Sequence, residues 1–518
     1  MNRRDFIRSG GVLAFSQGVP RAFDAKAEPG GSTPPGGVSL KAGFAERDIT
    51  PDVGMEMPAD YKKNYLKGFH DRCKVRAAVF SAGPTRIALV GIDAGGIPRP
   101  VVQEARKQIQ EQCGISPAAV LVGASHSHSS GPLMGVLPRQ YDHAPALVQH
   151  LAYDMSTVAD AGYIKRVVEQ LAGAVWEAND TLVEARCGVG TGSENQVAFN
   201  RRLRMKNGRT YTHPGHANPD IVGYAGPTDP QVGVIGAWDK RDRLLGCIVN
   251  FTCHATTNPG SGRDISANWI YFMEQAIRGA LGTEVPVVFL QGAAGDVTQV
   301  DNLSPYQDPP GEEWAQFVGG RVGAEAAKVL WSVVKGDLTP LDAESKVLRI
   351  KRRVPTPEHV ERAYELVKQD IETVGATDWA FAKETVMLDA LLKKEPVAEA
   401  EVQALQIGPA IFVSSPAELF CQYGLDLKAR SHFPHTYAVG YANGYLGYVP
   451  TEEAFGPHGG GYETRLTAYS NLEVTAGAQI VEAGLELVAP MKPGVVPTRP
   501  KVSSSQPWTY GDVPPQLD

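Results

Sequence analysis

The stretch 120-VLVGASHSHSSGPLMG-135 places two histidines one residue apart, among serines, directly after an apolar run. Ala118 to Val122, bounded by Pro117 and Gly123, has the pattern of a short buried strand. Residues two apart in an extended segment point to the same side, so His126 and His128 face one space just beyond that strand. Two imidazoles there can share a metal ion, or one can ligate while the other contacts a substrate; a polar loop with two solvated histidines is the bland alternative. The arrangement recurs along the chain. His254 follows 245-LGCIVNF, Asp93 follows 86-RIALVGI, and Asp296 lies in 291-QGAAGDVTQ after 286-PVVFL. Glu418, in 415-SPAELF, follows 410-AIFVS, and Ser415-Pro416 reads as a helix start with Glu418 in its first turn. Tyr441, Tyr445 and Tyr448 occupy the loop after 436-TYAVG. Asp93 and Asp296 have an ordinary use as loop caps. Two histidines, a glutamate and a tyrosine form an N/N/O/O set that suits Zn²⁺.

Such groups meet only if the elements behind them aim their ends at one place. Strand-like runs alternate with the amphipathic helical patterns 99–113, 162–178, 269–282 and 319–334, which argues an α/β chain with a mixed β-sheet core flanked by helices. In open α/β sheets ligands sit beyond the carboxyl ends of strands, and the polar residues above fall there. A tight pair of strands turns at Gly408-Pro409. Residues 356–395 are charged and helix-patterned, read as a helical insert lying on the surface. No internal repeat is visible.

The bulk numbers bound the rest. The chain has 518 residues, 43% hydrophobic and 21% charged, with a net charge of −7, so a nucleic-acid partner is not expected. No apolar run reaches the roughly 18 residues of a membrane span, although peripheral contact with a membrane stays open. The six cysteines show no CxxC spacing and sit mainly in apolar runs, as small buried residues. Residues 1–27, with Arg3-Arg4 and Ala25-Lys26-Ala27, read as a twin-arginine signal peptide that exports a folded bacterial protein to the periplasm or beyond. Residues 28–40 read as a linker, 41–484 as the catalytic body, and the Pro/Ser-rich 485–518 as an extended tail.

The segments 125-SHSHSSGP, 250-NFTCHATTN, 264-DISANW, 290-LQGAAGDV, 414-SSPAELF, 440-GYANGYLGYVPTEEAF and 462-YET resemble the neutral ceramidase family. So do 43-GFAERDITP and 68-GFHDRCKVRA, in the same order from about residue 41 to 480. The resemblance implies a zinc amidase acting on a small-molecule or lipid amide, ceramide-like, through one zinc-activated water. It implies His126, His254, Glu418 and Tyr448 as zinc ligands. It implies His128 and Tyr462 against the substrate or its oxyanion, Arg201 as an active-site arginine, and Ser266 as a residue lining the site. Glu418, ligating through one oxygen, is expected to accept a proton with the other. Three departures bear on the substrate. The immunoglobulin-like domain that follows in those ceramidases is not expected here. Asn268 stands where the family pattern carries Asp. Residues 135–157 are longer than the pattern, and 210–220 are unfamiliar. A serine hydrolase using Ser266, a zinc or calcium hydrolase of esters or phosphates, and a non-catalytic exported lipid- or glycan-binding protein are the rival readings. The sequence does not give an oligomeric state.

Overall fold

The apolar runs assemble one unit of structure three times over. The computed structural model describes residues 39–503, 505 and 507–518, so the expected leader and residues 28–38 lie outside the described residues. The first unit comprises β1 (Leu40–Asp48), β2 (Lys74–Ala82), β3 (Thr85–Ile92), α1 (Arg99–Cys113), β4 (Val120–Ala124) and, after an inserted α2 (Ala146–Tyr153), α3 (Ala161–Asp180). The second comprises β5 (Arg186–Ser193), β6 (Gln231–Trp238), β7 (Leu244–Phe251), α4 (Trp269–Leu281), β8 (Val287–Gln291) and α5 (Gly311–Ser332). The third comprises β9 (Leu341–Lys351), inserted helices α6 (Pro357–Leu366) and α7 (Ala376–Lys394), β10 (Val397–Ile407), β11 (Ala410–Ser414), α8 (Cys421–Arg430), β12 (His435–Val439) and α9 (Ala476–Val488).

Each unit's sheet has the same plan. An antiparallel meander of three strands ends in a parallel neighbour reached through a helix: β4 beside β3, β8 beside β7, β12 beside β11. Parallel neighbours need such a crossover, whereas antiparallel ones need only a turn. Two of the turns are Gly-Pro, with φ of +59° at Gly83 and +56° at Gly408, the glycine-first form that matches strand twist. The repetition is one of topology, which hydrophobic patterning sets without shared residue identities; hence it is invisible as a repeat in the sequence. The mixed α/β architecture is the one expected.

The three units are tied at their strand ends. The N–H of Ala124, ending β4, donates to Tyr441 O at 3.0 Å, and Gly440 N–H donates to Gln291 O at 3.0 Å. The Gln291 side-chain amide donates to Ser125 O at 3.1 Å. The chain segments that leave β3, β4, β7, β8, β11 and β12 are thereby brought to one end of the molecule.

The insert 356–395 departs from the surface pair expected. On α7, Trp379, Ala382, Val386, Met387, Leu388 and Leu391 are buried, and they pack with Val148, Leu151 and Ala152 of α2. Neither insert carries enough apolar surface for a core of its own; joined, they make a separate hydrophobic cluster with the segment Val136–Ala144. All six cysteines are buried and unpaired. Among the described residues no helix is long and apolar enough to cross a membrane. The tail after Pro490 holds no helix or strand among the described residues, and Gly494 N–H anchors its start on Gly408 O.

Candidate active site

His126 sits two residues past the end of β4, at φ +62°. Its Nδ1 donates to Gly95 O, leaving Nε2 as a lone pair. His254, three residues past β7, does the same through Val297 O at 3.1 Å. Both Nε2 atoms lie 3.3 Å from one oxygen, Oε2, of Glu418. His128 Nε2 stands 3.2 Å from His126 Nε2, and nitrogens of His126, His128 and His254 all lie within 4.8 Å of one another. Donors around a tetrahedral zinc with bonds of about 2.0–2.1 Å stand roughly 3.3 Å apart, so the spacing suits that ion.

The donor set is one that a cation can satisfy. Burial, with Arg201 beside it, lowers His254 to about 3, so it is neutral at pH 7. His128 is pushed well below the usual histidine value, first by burial and then by His126 and His254. Glu418 is buried, with Oε2 3.3 Å from both Nε2 atoms. A buried carboxylate facing imidazole lone pairs is satisfied by a positive charge held between them. The residues present therefore fit a zinc ion.

Glu418 reaches this place by a route the sequence did not suggest. It lies in no helix: Glu418–Leu419 pair as a short parallel bridge with Tyr448–Val449, and α8 begins only at Cys421. The pairing with Tyr448 outcompetes the local Ser-Pro helix signal. The second Glu418 oxygen, expected to take a proton, already accepts the Tyr445 hydroxyl at 2.6 Å. Tyr441 stacks on His126 with ring centroids 4.3 Å apart, and its hydroxyl is 3.4 Å from Glu418 Oε2. Neither role follows from the sequence, which shows only that both tyrosines stand in the loop after β12.

Tyr448 and Tyr462 share a hydrogen bond of 2.7 Å between their hydroxyls. The Arg201 guanidinium lies 5.3 and 5.2 Å from their ring centres. Arg201 also donates to Glu463 and Gly295 O at 2.8 Å each, and its Nη1 is 3.3 Å from His254 Nε2. Ser266 is set apart. It is fully buried, donates its hydroxyl to Asp71, and through its carbonyl braces Ser127; it is not among the residues lining the cavity. Its neighbour Asn268 caps α4, accepting from Thr257 N at 3.1 Å and Trp269 N at 3.0 Å.

The loop 291–297 supplies none of the expected ligands yet touches the segments that carry His126, His254 and Glu418. Gln291 donates to Ser125 O and Cys253 O, the residues before His126 and His254, and accepts from Cys253 N. Asp296 accepts from Cys421 N at 2.8 Å, just past Glu418, and from Asn200 at 2.8 Å, just before Arg201. At Gly295 a Cβ would stand 2.2 Å from Glu418 O, so only glycine lets the two backbones approach.

A cavity of about 330 Å³ opens from His126, His128 and Glu418. Tyr445, Tyr448, Tyr462, Tyr61 and Tyr469 line it, as do Met134, Val136, Leu137 and Tyr141 from one insert and Glu384, Met387 and Leu391 from the other.

Three repeated sheet units converge on buried imidazoles and a carboxylate at the base of a tyrosine-lined cavity, and the fold is of the neutral ceramidase type. The comparisons with known proteins name that type. The chain is 24% identical over 478 residues to the neutral ceramidase of Pseudomonas aeruginosa, covering 80% of this chain and 67% of the relative. The crystal structure of that bacterium's neutral ceramidase matches with a TM-score of 0.64 at 20% identity, over 89% of this chain and 77% of that one. A ceramidase complexed with C2 gives 0.65 at 18% identity, over the same shares. No family model matches the chain. The similarity to neutral ceramidase in sequence and in fold is the one its motifs led us to expect.

Proposed function

We propose that this protein is a zinc-dependent amidase that hydrolyses the N-acyl amide bond of a ceramide-like lipid or related small molecule. The observation that supports it most directly is the donor set: two imidazole Nε2 atoms, each with its Nδ1 proton committed to a carbonyl, 3.3 Å from one carboxylate oxygen. His126, His254 and Glu418 would hold the ion, with His128 or Tyr448 completing the set. Zinc bound there lowers the pKa of water to about 7 and polarises a carbonyl.

The chain's own residues supply the remaining functions. Two hydroxyls that share one hydrogen bond retain one proton between them, so the Tyr448–Tyr462 pair can donate it to the substrate's carbonyl oxygen as negative charge develops there. Arg201, buried beside both rings, is a fixed positive charge that favours the same build-up. Neutral His128, lining the cavity, has an N–H to offer as well. A donor of this kind is worth on the order of 10²-fold in rate. Tyr445 holds Glu418 in place by its hydrogen bond. Ser266, with its hydroxyl spent on Asp71, has no part in the bond-breaking step.

The test is metal analysis of the purified protein, chelation followed by zinc rescue, and hydrolysis of a panel of N-acyl amines. We expect stoichiometric zinc, chelator-sensitive hydrolysis, and loss of both metal and turnover in His254→Ala. Full activity in that variant, or hydrolysis that survives chelation, would refute the assignment; stoichiometric zinc with no hydrolysis would make the protein a binding module. Export through residues 1–27 is part of the same proposal, and fractionation of cells expressing Arg3→Lys/Arg4→Lys against the parent chain tests it.

A further inference from the structure

We propose that Glu384 is a specificity-determining residue that accepts a hydrogen bond from a hydroxyl of the substrate, at a subsite built by the two inserts. The inference rests on the amidase reading above and adds to it what the cavity recognises away from the reacting bond.

Glu384 lies on α7 and lines the cavity, with only 5% of its surface exposed. One carboxylate oxygen, Oε2, is 3.3 Å from the Ala468 N–H. The other, Oε1, has Lys383 Nζ at 3.5 Å. That ammonium has three protons, and three nearer acceptors take them: Tyr61 O at 2.6 Å, Ser156 Oγ at 2.7 Å and Met155 O at 3.2 Å. Lys383 therefore balances the charge of Glu384 while giving Oε1 only a long, shared contact. A buried carboxylate oxygen whose nearest donor is a long contact already shared among three closer acceptors is under-satisfied, and Glu384 lines a space that a ligand can fill.

The balance of charge selects the ligand. The Lys383–Glu384 pair is already neutral, and Arg352 lines the same cavity. Asp60 and Glu418 also line the cavity, but at Glu384 itself the charge is already matched by Lys383, so a ligand ammonium there would crowd a second cation onto one carboxylate, whereas a hydroxyl donates a proton and brings no charge. Tyr141, from the other insert, is 1% exposed and presents its ring to the same cavity, so the subsite joins an amphipathic wall to the acceptor. Tyr141 stands on 135–157, a segment longer than the family pattern.

The experiment uses the full chain, zinc-loaded, and matched pairs of N-acyl amides that differ by one hydroxyl replaced with hydrogen. The hydroxyl is placed in turn along the amine and the acyl moiety. Two readouts are taken: kcat/KM, and the affinity of non-hydrolysed ketone analogues of the same pairs by calorimetry. In the wild type, at least one hydroxylated member is preferred by about tenfold or more. In Glu384→Leu that ratio falls to within about threefold of unity. In Glu384→Gln, whose amide carbonyl still accepts, it is intermediate; this variant carries the test if the leucine form fails to fold. Equal handling of every pair by the wild type, or an undiminished ratio in both variants, overturns the subsite while leaving hydrolysis itself untouched. Absence of hydrolysis with a calorimetric preference that Glu384→Leu abolishes would sink the amidase reading and support the subsite.

Discussion

Replacing Tyr445 with phenylalanine tests the account of the metal centre at a single atom. The ring stays, so packing against Gly96 is kept, and only the hydroxyl that donates to Glu418 Oε1 at 2.6 Å is removed. That bond has a short length and a charged acceptor, the class worth about 1.5–3 kcal/mol. If it is spent on holding Glu418 in ligating orientation, zinc affinity falls by about 10- to 150-fold, which overlaps the 10- to 100-fold typical of groups that orient metal ligands. Tyr441→Phe is the control. Its hydroxyl is 3.4 Å from Oε2, a contact too long to be worth much, so affinity should change by less than about threefold. The assay is competition for zinc against a chromophoric chelator at fixed pH, with thermal unfolding of the zinc-free forms to confirm folding. Affinities for Tyr445→Phe and wild type within threefold of each other would refute the reasoning, as would a larger loss in Tyr441→Phe.

The hub formed by Gln291 predicts a large loss of stability in Gln291→Met, since Ser125 O, Cys253 O and Cys253 N–H lose their partner and each buried orphan costs about 1–3 kcal/mol; urea unfolding of the zinc-free protein should show it, and a loss below about 1 kcal/mol would contradict it. Acid should weaken the fold through Glu274. Burial opposes its charge, but Arg76, Lys74 and Arg278 hold it down to about 2. A depressed carboxyl stabilises fully above its unfolded value near 4.5 and loses that contribution as pH falls toward 2. Asp93, in the same network, is raised by burial to about 6 and acts in the opposite sense, and Glu274 adds to that rise, so the difference between wild type and Glu274→Gln reads Glu274 together with its coupling to Asp93. That difference in thermal stability, about 3–5 kcal/mol near neutrality, should shrink below pH 4.5; a gap independent of pH would count against it.

Much of the site was legible because it depends on short-range rules. A buried strand followed by a polar loop delivers its first side chains past the sheet edge, and His126, His128, His254 and Glu418 all come from such junctions. The helices α1, α3 and α4 follow from their amphipathic spacing within a residue or two. Other features escaped for a common reason. The two-residue pairing of Glu418–Leu419 with Tyr448–Val449, the Tyr445 bond to Glu418 and the burial of α7 against α2 are each made by partners far apart in the chain. A charged helix reads as a surface helix until a second insert is found to cover its apolar stripe.

What the amino-acid order determined by itself is the identity of the chemistry: which strands are apolar, where they stop, and which imidazoles, carboxylates and phenols stand at the stops. Periodicity and residue type carry that information locally. Tertiary structure alone decided the threefold repetition of the sheet unit, the tying of its strand ends through Gln291, and the cavity walls built by two distant inserts. Those depend on which surfaces bury one another, and a buried contact is a property of a pair of segments, which neither segment's own pattern can specify.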